Sequence, residues 1–210
     1  MRFLITAGPT REPIDPVRFL SNRSSGKMGY ALAEAALTRG HEVCLVSGPV
    51  SLPFPEKAEV CSVETAVDMF AAVEKAITEV DVAIFCAAVS DYRVKEVADQ
   101  KIKKNADKLT LTLVKNPDIL GSARGEFGFE GYLAGFAAET ENLAENASKK
   151  MGRKGCDLLV ANDVSRSDIG FDQDENEVHL FFSDGRQKAI ARCSKGAIAA
   201  RIIEAIEREV

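Results

Sequence analysis

Residues 21–29, Ser-Asn-Arg-Ser-Ser-Gly-Lys-Met-Gly, join a polar loop to a stretch with helical apolar spacing, YALAEAAL. Chemistry is expected at that junction. Ser24, Ser25 and Gly26 would bring two hydroxyls and unpaired backbone N–H groups to a helix start, whose partial positive charge favours a phosphate. An N-cap serine followed by a glycine that packs the helix closely is the other reading of the same residues. Neither standard phosphate loop fits. Gly8 and Gly26 lie too far apart for G-x-G-x-x-G, and Met28 follows Gly26-Lys27 where a Walker-type loop needs Ser or Thr. Upstream, residues 9–26 hold three prolines together with Arg11, Arg18 and Arg23, which predicts a stiffened loop carrying fixed positive charge. Asn22 adds a donor and an acceptor on one short side chain.

A second group of candidates follows the third apolar run, in CAAVSD (residues 86–91). Ala87, Ala88 and Ser90 are small enough to let a ligand lie against the backbone, and Asp91 stands where a ribose hydroxyl is accepted in dinucleotide folds. Cys86 reads as a reactive thiol or as a small buried side chain. Lys101, Lys103 and Lys104 make a basic run in an acidic chain, and Asn105, Ala106, Asp107 and Lys108 after them suggest a mobile lid. A solvated charged face is the alternative. Lys150 and Lys154, four apart, share a helix face, as do Lys149 and Arg153. These cations could equally complement the negative end of the helix dipole.

The elements that must position these groups alternate along the chain. Residues 2–8, 42–48 and 81–91 read as strands buried on both faces, with helical patterns over 26–40 and 64–80 between them. Further strands are expected at 109–116, 132–140 and 157–164, with a short helix opened by Pro117 and another over 141–155 that Gly155 can end. Residues 165–178 are polar and acidic. Asp184-Gly185 between two apolar runs predicts a hairpin, in an extension spanning about 170–192, and residues 195–210 a closing helix. The expected fold is α/β, a doubly wound, Rossmann-like, mostly parallel sheet in one domain with a C-terminal β-hairpin extension.

Composition narrows the function classes. The 210 residues are 46% hydrophobic and carry 27 Lys and Arg against 32 Asp and Glu, a net charge of −5. That balance argues against a general nucleic-acid or membrane-surface binder, so an anionic ligand must meet local positive charge. No stretch approaches the ~20 apolar residues of a membrane span, and residues 1–8 lack a signal-peptide pattern. Five scattered cysteines without a C-x-x-C pair predict a reduced, cytoplasmic protein. His41 and His179 have no zinc-site spacing to any cysteine pair. A short-chain oxidoreductase would need Y-x-x-x-K, but Glu34, Glu96 and Phe136 follow Tyr30, Tyr92 and Tyr132 at that spacing. A non-catalytic nucleotide-binding regulator stays open on these grounds.

TAGPTREPIDPVRFLSNRSSGKMG, CAAVSDY followed by KIKK, VKNPDIL, GFAAET and ANDVS occur in this order. With these motifs the chain resembles the phosphopantothenate-cysteine ligase family, a domain fused in many bacteria to a flavin-dependent decarboxylase. The resemblance runs from Phe3 to the C-terminal helix. It implies a nucleoside triphosphate, CTP favoured over ATP, acting with Mg²⁺. The triphosphate activates the carboxylate of 4'-phosphopantothenate as an acyl-nucleotidyl anhydride, which the amine of L-cysteine attacks to give phosphopantothenoylcysteine in coenzyme A biosynthesis. Asn22 would handle the anhydride, and Lys101 would contact nucleotide and support catalysis. Arg18 would lie near the pantothenate and a homodimer interface, with Ala88 also on the substrate side. Ser24, Ser25, Gly26, Lys27, Met28 and Gly29 would receive the nucleotide together with Cys86, Ala87 and Asp91. Pro117, Asp118, Ile119, Leu120, Phe136, Lys150 and Lys154 fall on further nucleotide positions. No metal ligand is assigned, and Ser90 stands where alanine is common. A decarboxylase, fused or separate, is the implied partner; none precedes Met1 in this sequence, as expected of a stand-alone ligase or an excised domain.

Overall fold

The computed structural model describes residues 1–104, 107–139, 143–163 and 174–210. In chain order the elements are β1 Arg2–Ala7, β2 Arg11–Pro13, β3 Phe19–Ser21, α1 Lys27–Thr38, β4 Glu42–Ser47, β5 Glu59–Ser62, α2 Ala66–Ala76, β6 Val82–Phe85, β7 Tyr92–Val94 and β8 Leu113–Lys115. They continue with α3 Ile119–Gly125, β9 Tyr132–Glu139, α4 Leu143–Lys154, β10 Leu158–Asp163, β11 Glu175–Phe182, β12 Gln187–Ser194 and α5 Lys195–Glu207.

Eight strands form one sheet in the order β12-β11-β10-β9-β6-β1-β4-β5. The six from β10 to β5 are parallel, and β11 and β12 join antiparallel as the expected hairpin, with Gly185 in the left-handed region at its turn. Alternation along β1 feeds two cores: Phe3, Ile5 and Ala7 pack with Leu32, Ile198 and Ile202 of α1 and α5, while Leu4 faces Met69 and Val73 of α2. After β1 the chain winds outward through β4 and β5, then crosses back to place β6 on the other side of β1. That reversal opens a crevice beyond the carboxyl ends of β1 and β6.

Four sequence expectations change. Residues 109–116 contribute only β8, which pairs with β7 in a separate two-stranded arm. The alternation LTLTL marks a half-exposed strand, unlike the continuous apolar run of a strand covered on both faces, and Leu109 and Leu113 are indeed exposed. The run 81–91 leaves the ladder after Phe85 except for one bridge between Pro9 and Ala88. The proline-bearing loop contains the hairpin β2–β3, and residues 59–62 form an edge strand with mostly exposed residues that periodicity did not reveal. Asn105, Ala106, Thr140, Glu141, Asn142 and residues 164–173, including the end of ANDVS and most of the acidic stretch, lie outside the described residues.

Candidate active site

The crevice is built first by backbone. Ala88 N donates to Gly8 O at 2.9 Å, Ala87 N donates to Thr6 Oγ1 at 3.2 Å, and Ser90 N donates to Thr10 Oγ1 at 3.0 Å. The chain after β6 is thereby tied to the chain after β1, although both have left regular pairing. Asn116 Nδ2 donates to Ser90 O at 2.8 Å, bringing the α3 approach to the same rim.

The α1 start differs from the capped helix that the serines suggest. Gly26, not a serine, is the N-cap; it lies in the left-handed region at φ 77°, and no side chain caps the helix. Ser24 Oγ instead accepts Gly26 N at 3.4 Å. A Cβ on Gly26 would stand 2.6 Å from Val50 Cγ1, and one on Gly29 would stand 2.5 Å from Ala7 Cβ. The glycines therefore permit a sharp entry and a close approach of α1 to β1. The first turn carries no acidic residue. An anion can meet its N–H groups and dipole there.

Two contiguous cavities occupy the crevice. One, about 620 Å³, is lined by Asn22, by Ser24 to Gly29 and by Cys86, Ala87 and Ala88. The other, about 800 Å³, is lined by Pro117, Asp118, Ile119, Leu120 and Lys154. Ala87, Asp91, Phe136 and Lys150 border both. Nearly every nucleotide position implied by the resemblance is gathered here. Two residues are not. Neither Lys101 nor Arg18 lines either cavity, and Lys101 is exposed. Lys103 and Lys104 are exposed as well, in a stretch without regular structure.

Asn22 Nδ2 faces two carbonyls, Ala88 O at 3.2 Å and Val89 O at 3.1 Å. Because both partners accept, the carboxamide is oriented with nitrogen inward, and Oδ1 is the group it offers a ligand. Asn22 thus presents an acceptor toward the cleft. Lys150 Nζ donates to Phe136 O at 3.0 Å. Asp118 caps α3 by accepting Gly121 N at 3.0 Å and is ion-paired with Lys154. Burial pushes the Asp118 carboxyl up, but the Lys154 and Gly121 hydrogen bonds outweigh it and leave the group below its ordinary value. Lys149, on the other face, pairs with Glu145 at 2.6 Å. Lys27 pairs with Asp174 at 2.5 Å.

Burial pushes the Cys86 thiol up to about 12, and it lines the first cavity as part of its wall. The first cavity also takes in residues the sequence reading missed: Asn162, Asn176 and Lys195. Lys195 is only 6% exposed and opens α5, where the helix dipole works against a cation. A lysine directly after an N-cap serine was the available signal. Asn162 Oδ1 is buried without a hydrogen-bond partner among the described residues, so an N–H or O–H of a ligand fits there. No group of three or more His, Cys, Asp or Glu suited to a metal occurs among the described residues.

A doubly wound sheet with a glycine-built helix start and lysines around its switch-point crevice defines a Rossmann-like α/β domain. The whole chain, residues 1–210, matches the model of the DNA/pantothenate metabolism flavoprotein C-terminal domain, and the chain belongs to that family. It is 52% identical over 188 residues to the coenzyme A biosynthesis bifunctional protein CoaBC of Escherichia coli K12, covering 88% of this chain and 46% of that one. The Bacillus subtilis protein of the same name is 48% identical over 204 residues, 97% of this chain and 50% of the other. The chain thus spans about half the length of these relatives. The crystal structure of the C-terminal domain of CoaBC superposes with a TM-score of 0.85 at 43% identity, covering 99% of this chain and 94% of that one. A DNA/pantothenate metabolism flavoprotein from Streptococcus pneumoniae shares the fold, with a TM-score of 0.86 at 24% identity over 100% of both chains. Cab2 H337A in complex with phosphopantothenate-cysteine also shares it, with a TM-score of 0.78 at 18% identity over 99% of this chain and 87% of that one.

Proposed function

We propose that this domain joins 4'-phosphopantothenate to L-cysteine, using CTP in preference to ATP, through an acyl-nucleotidyl anhydride. The observation that carries the reading is the single cleft shared by the α1 start, the end of β6, the α3 start and the α4 lysines. Membership of a family whose relatives are coenzyme A biosynthesis proteins supports the pathway, and the phosphopantothenate-cysteine complex of Cab2 supports the product.

The chemistry follows from charge. A carboxylate must attack an α-phosphate, so two anions are brought together and the barrier is lowered by positioning and by cations. The α1 N–H groups, Lys150 and Lys195 supply fixed positive potential along the cleft, and Mg²⁺ bound to the nucleotide would add charge screening of the phosphates. Carboxylate oxygen bonds to the α-phosphorus and pyrophosphate leaves. The cysteine amine then attacks the acyl carbon, and the nucleoside monophosphate departs with the former carboxylate oxygen. Asn22 Oδ1 is placed to accept an N–H of the incoming amine, holding its lone pair toward the acyl carbon. Lys101 acts through its long side chain, which reaches from the exposed segment toward the triphosphate, and Arg18 contributes on the pantothenate side.

A homodimer is part of this reading. Val17, Phe19, Tyr92, Val97, Leu109 and Leu113 are exposed large apolar side chains on the β2–β3 hairpin, the β7–β8 arm and the residues between its strands. Their concentration favours the Arg18 loop over the β11–β12 hairpin as the contact. A decarboxylase, fused or separate, would supply the next step, and a cytoplasmic location suits the free cysteines. No helix among the described residues is long and apolar enough to cross a membrane.

The test is pyrophosphate release from CTP or ATP with each substrate omitted in turn. Release should need phosphopantothenate and not cysteine, whereas amide product should need both. Nucleotide binding without release in the presence of phosphopantothenate would favour a regulator instead.

A further inference from the structure

A dense polar knot lies outside the cleft. The Asp15 side chain is 0% exposed although it sits in the β2–β3 turn. Its Oδ1 accepts the backbone N–H groups of Val17 and Arg18, each at 2.9 Å. Its Oδ2 accepts Arg18 Nε at 2.9 Å, a closer bond from Arg18 Nη2, and Ile102 N at 3.1 Å. Arg18 Nη2 also donates to Ile102 O at 2.9 Å. Ile102 is therefore gripped at both its N–H and its C=O by one ion pair, and Ala98 N donates to Ile14 O at 3.0 Å just before it. The Arg18 hydrogen bond outweighs burial and holds the Asp15 carboxyl well below the usual carboxylate range, so the grip persists at neutral pH. A buried carboxylate with donors on both oxygens is costly to undo, because breaking one contact strands a desolvated charge.

The gripped residue lies between Lys101 and Lys103. A lysine is a flexible four-carbon arm that must be immobilised to act on a phosphate, and a loose backbone beneath it adds further disorder to overcome. We propose that Asp15 is a positioning residue for the reaction: with Arg18 it clasps Ile102 and sets where the neighbouring lysines leave the chain. The clasp is the fixed root of the lysine segment and couples it to the loop that carries Asn22. Full burial and donors on both oxygens distinguish such a root from a latch that must release in each turnover. This role rests on the reading of Lys101 as a group that acts on the triphosphate.

Asp15→Asn tests it, since the amide keeps the shape but sets an NH₂ donor against the donors of Arg18 and Ile102. Limited trypsin digestion of the ligand-free protein should cut the Lys101–Ile102 bond roughly tenfold faster or more, with cutting at Lys108–Leu109 unchanged as an internal reference. An unchanged ratio of the two cuts overturns the clasp. In pyrophosphate release, kcat at saturating substrates should fall roughly tenfold to a hundredfold while the nucleotide KM moves less than about threefold. In a Lys101→Gln background the same substitution should have no further effect. Losses that add, or a faster turnover, contradict the positioning role. If Asp15→Asn does not fold, Ile102→Pro deletes the clasped N–H, along with the Ile side chain and with φ fixed there, and should reproduce the kcat loss; full activity there overturns the proposal. Absence of pyrophosphate release from the wild type would refute the ligase reading and the positioning role with it, while the trypsin ratio reports separately on the clasp.

Discussion

The α1 start and the Lys101 segment were both expected to meet a triphosphate, yet they are held in opposite ways. Gly26 and Gly29 are fixed by the core: a methyl group on either would press on Val50 or Ala7. The lysine segment has no core beneath it. Its lysines are exposed, and its position depends on polar contacts to the β2–β3 turn and on the short β7–β8 arm. The contrast separates two requirements, a rigid cradle that holds phosphate oxygens in place and a long cationic side chain that reaches in from a backbone anchored outside the core. A few polar contacts are enough to anchor such a side chain's root, and close packing is what a cradle needs.

Substitutions in the two regions should therefore fail differently. The largest effect is expected at Lys101→Gln, with kcat for pyrophosphate release reduced roughly a hundredfold at saturating nucleotide and the thermal midpoint unchanged. A change in KM alone would move Lys101 from catalysis to simple binding. Asn22→Asp comes next, at roughly ten- to a hundredfold, and the loss should fall on amide formation more than on pyrophosphate release. Equal loss of both would contradict the acceptor role of Asn22 Oδ1 toward the amine. Gly29→Ala should harm stability and nucleotide affinity together, because its Cβ meets Ala7 backbone and side chain; a cost of about 1–3 kcal/mol is expected from chemical denaturation. Retention of wild-type stability would mean that the cradle is less tightly built than its geometry.

Smaller effects lie farther out. Val17→Asp should weaken self-association, read by sedimentation velocity, without altering the unfolding midpoint of the isolated chain. Unchanged association would shift the dimer contact elsewhere. Glu207 accepts from Arg39 and from His41, the latter at 2.7 Å, joining α5 to the α1–β4 corner. Arg39 chiefly, opposed by burial and helped by His41, lowers the Glu207 carboxyl from 4.5 to about 2. A lowered folded-state value gives stability that is complete above the unfolded value and lost as pH falls through the folded one. The gap in denaturation midpoint between wild type and Glu207→Gln should thus be constant near neutrality and close between about pH 4.5 and 2. A gap that widens on acidification would contradict the assignment.

The sheet was legible wherever burial dictates sequence. Continuous apolar runs marked β1, β4 and β6, the helical spacing of α1 placed the crossover, and Asp184-Gly185 announced the hairpin. Local pattern could not reveal the β7–β8 arm, since a strand outside the main sheet differs from one within it mainly in which partners arrive. The cleft walls were readable through small residues and turn glycines, because a ligand approaching backbone excludes larger side chains. Asn162 and Asn176 were not, since a lone asparagine on a strand carries no periodic signal. Lys195 left one faint mark, a cation at the wrong end of a helix. Asp15 shows why contacts escape sequence: its partner in the chain is nearby Arg18, but its consequence is at Ile102, far along the chain.

The central claim is that one cleft makes a carboxylate into a mixed anhydride with a nucleotidyl group. Isotope transfer tests it most directly. With both oxygens of the phosphopantothenate carboxylate labelled with ¹⁸O, a single turnover with CTP and cysteine should place one labelled oxygen in CMP and retain the other in the amide. Label appearing in inorganic phosphate, or CMP without label, would contradict the account.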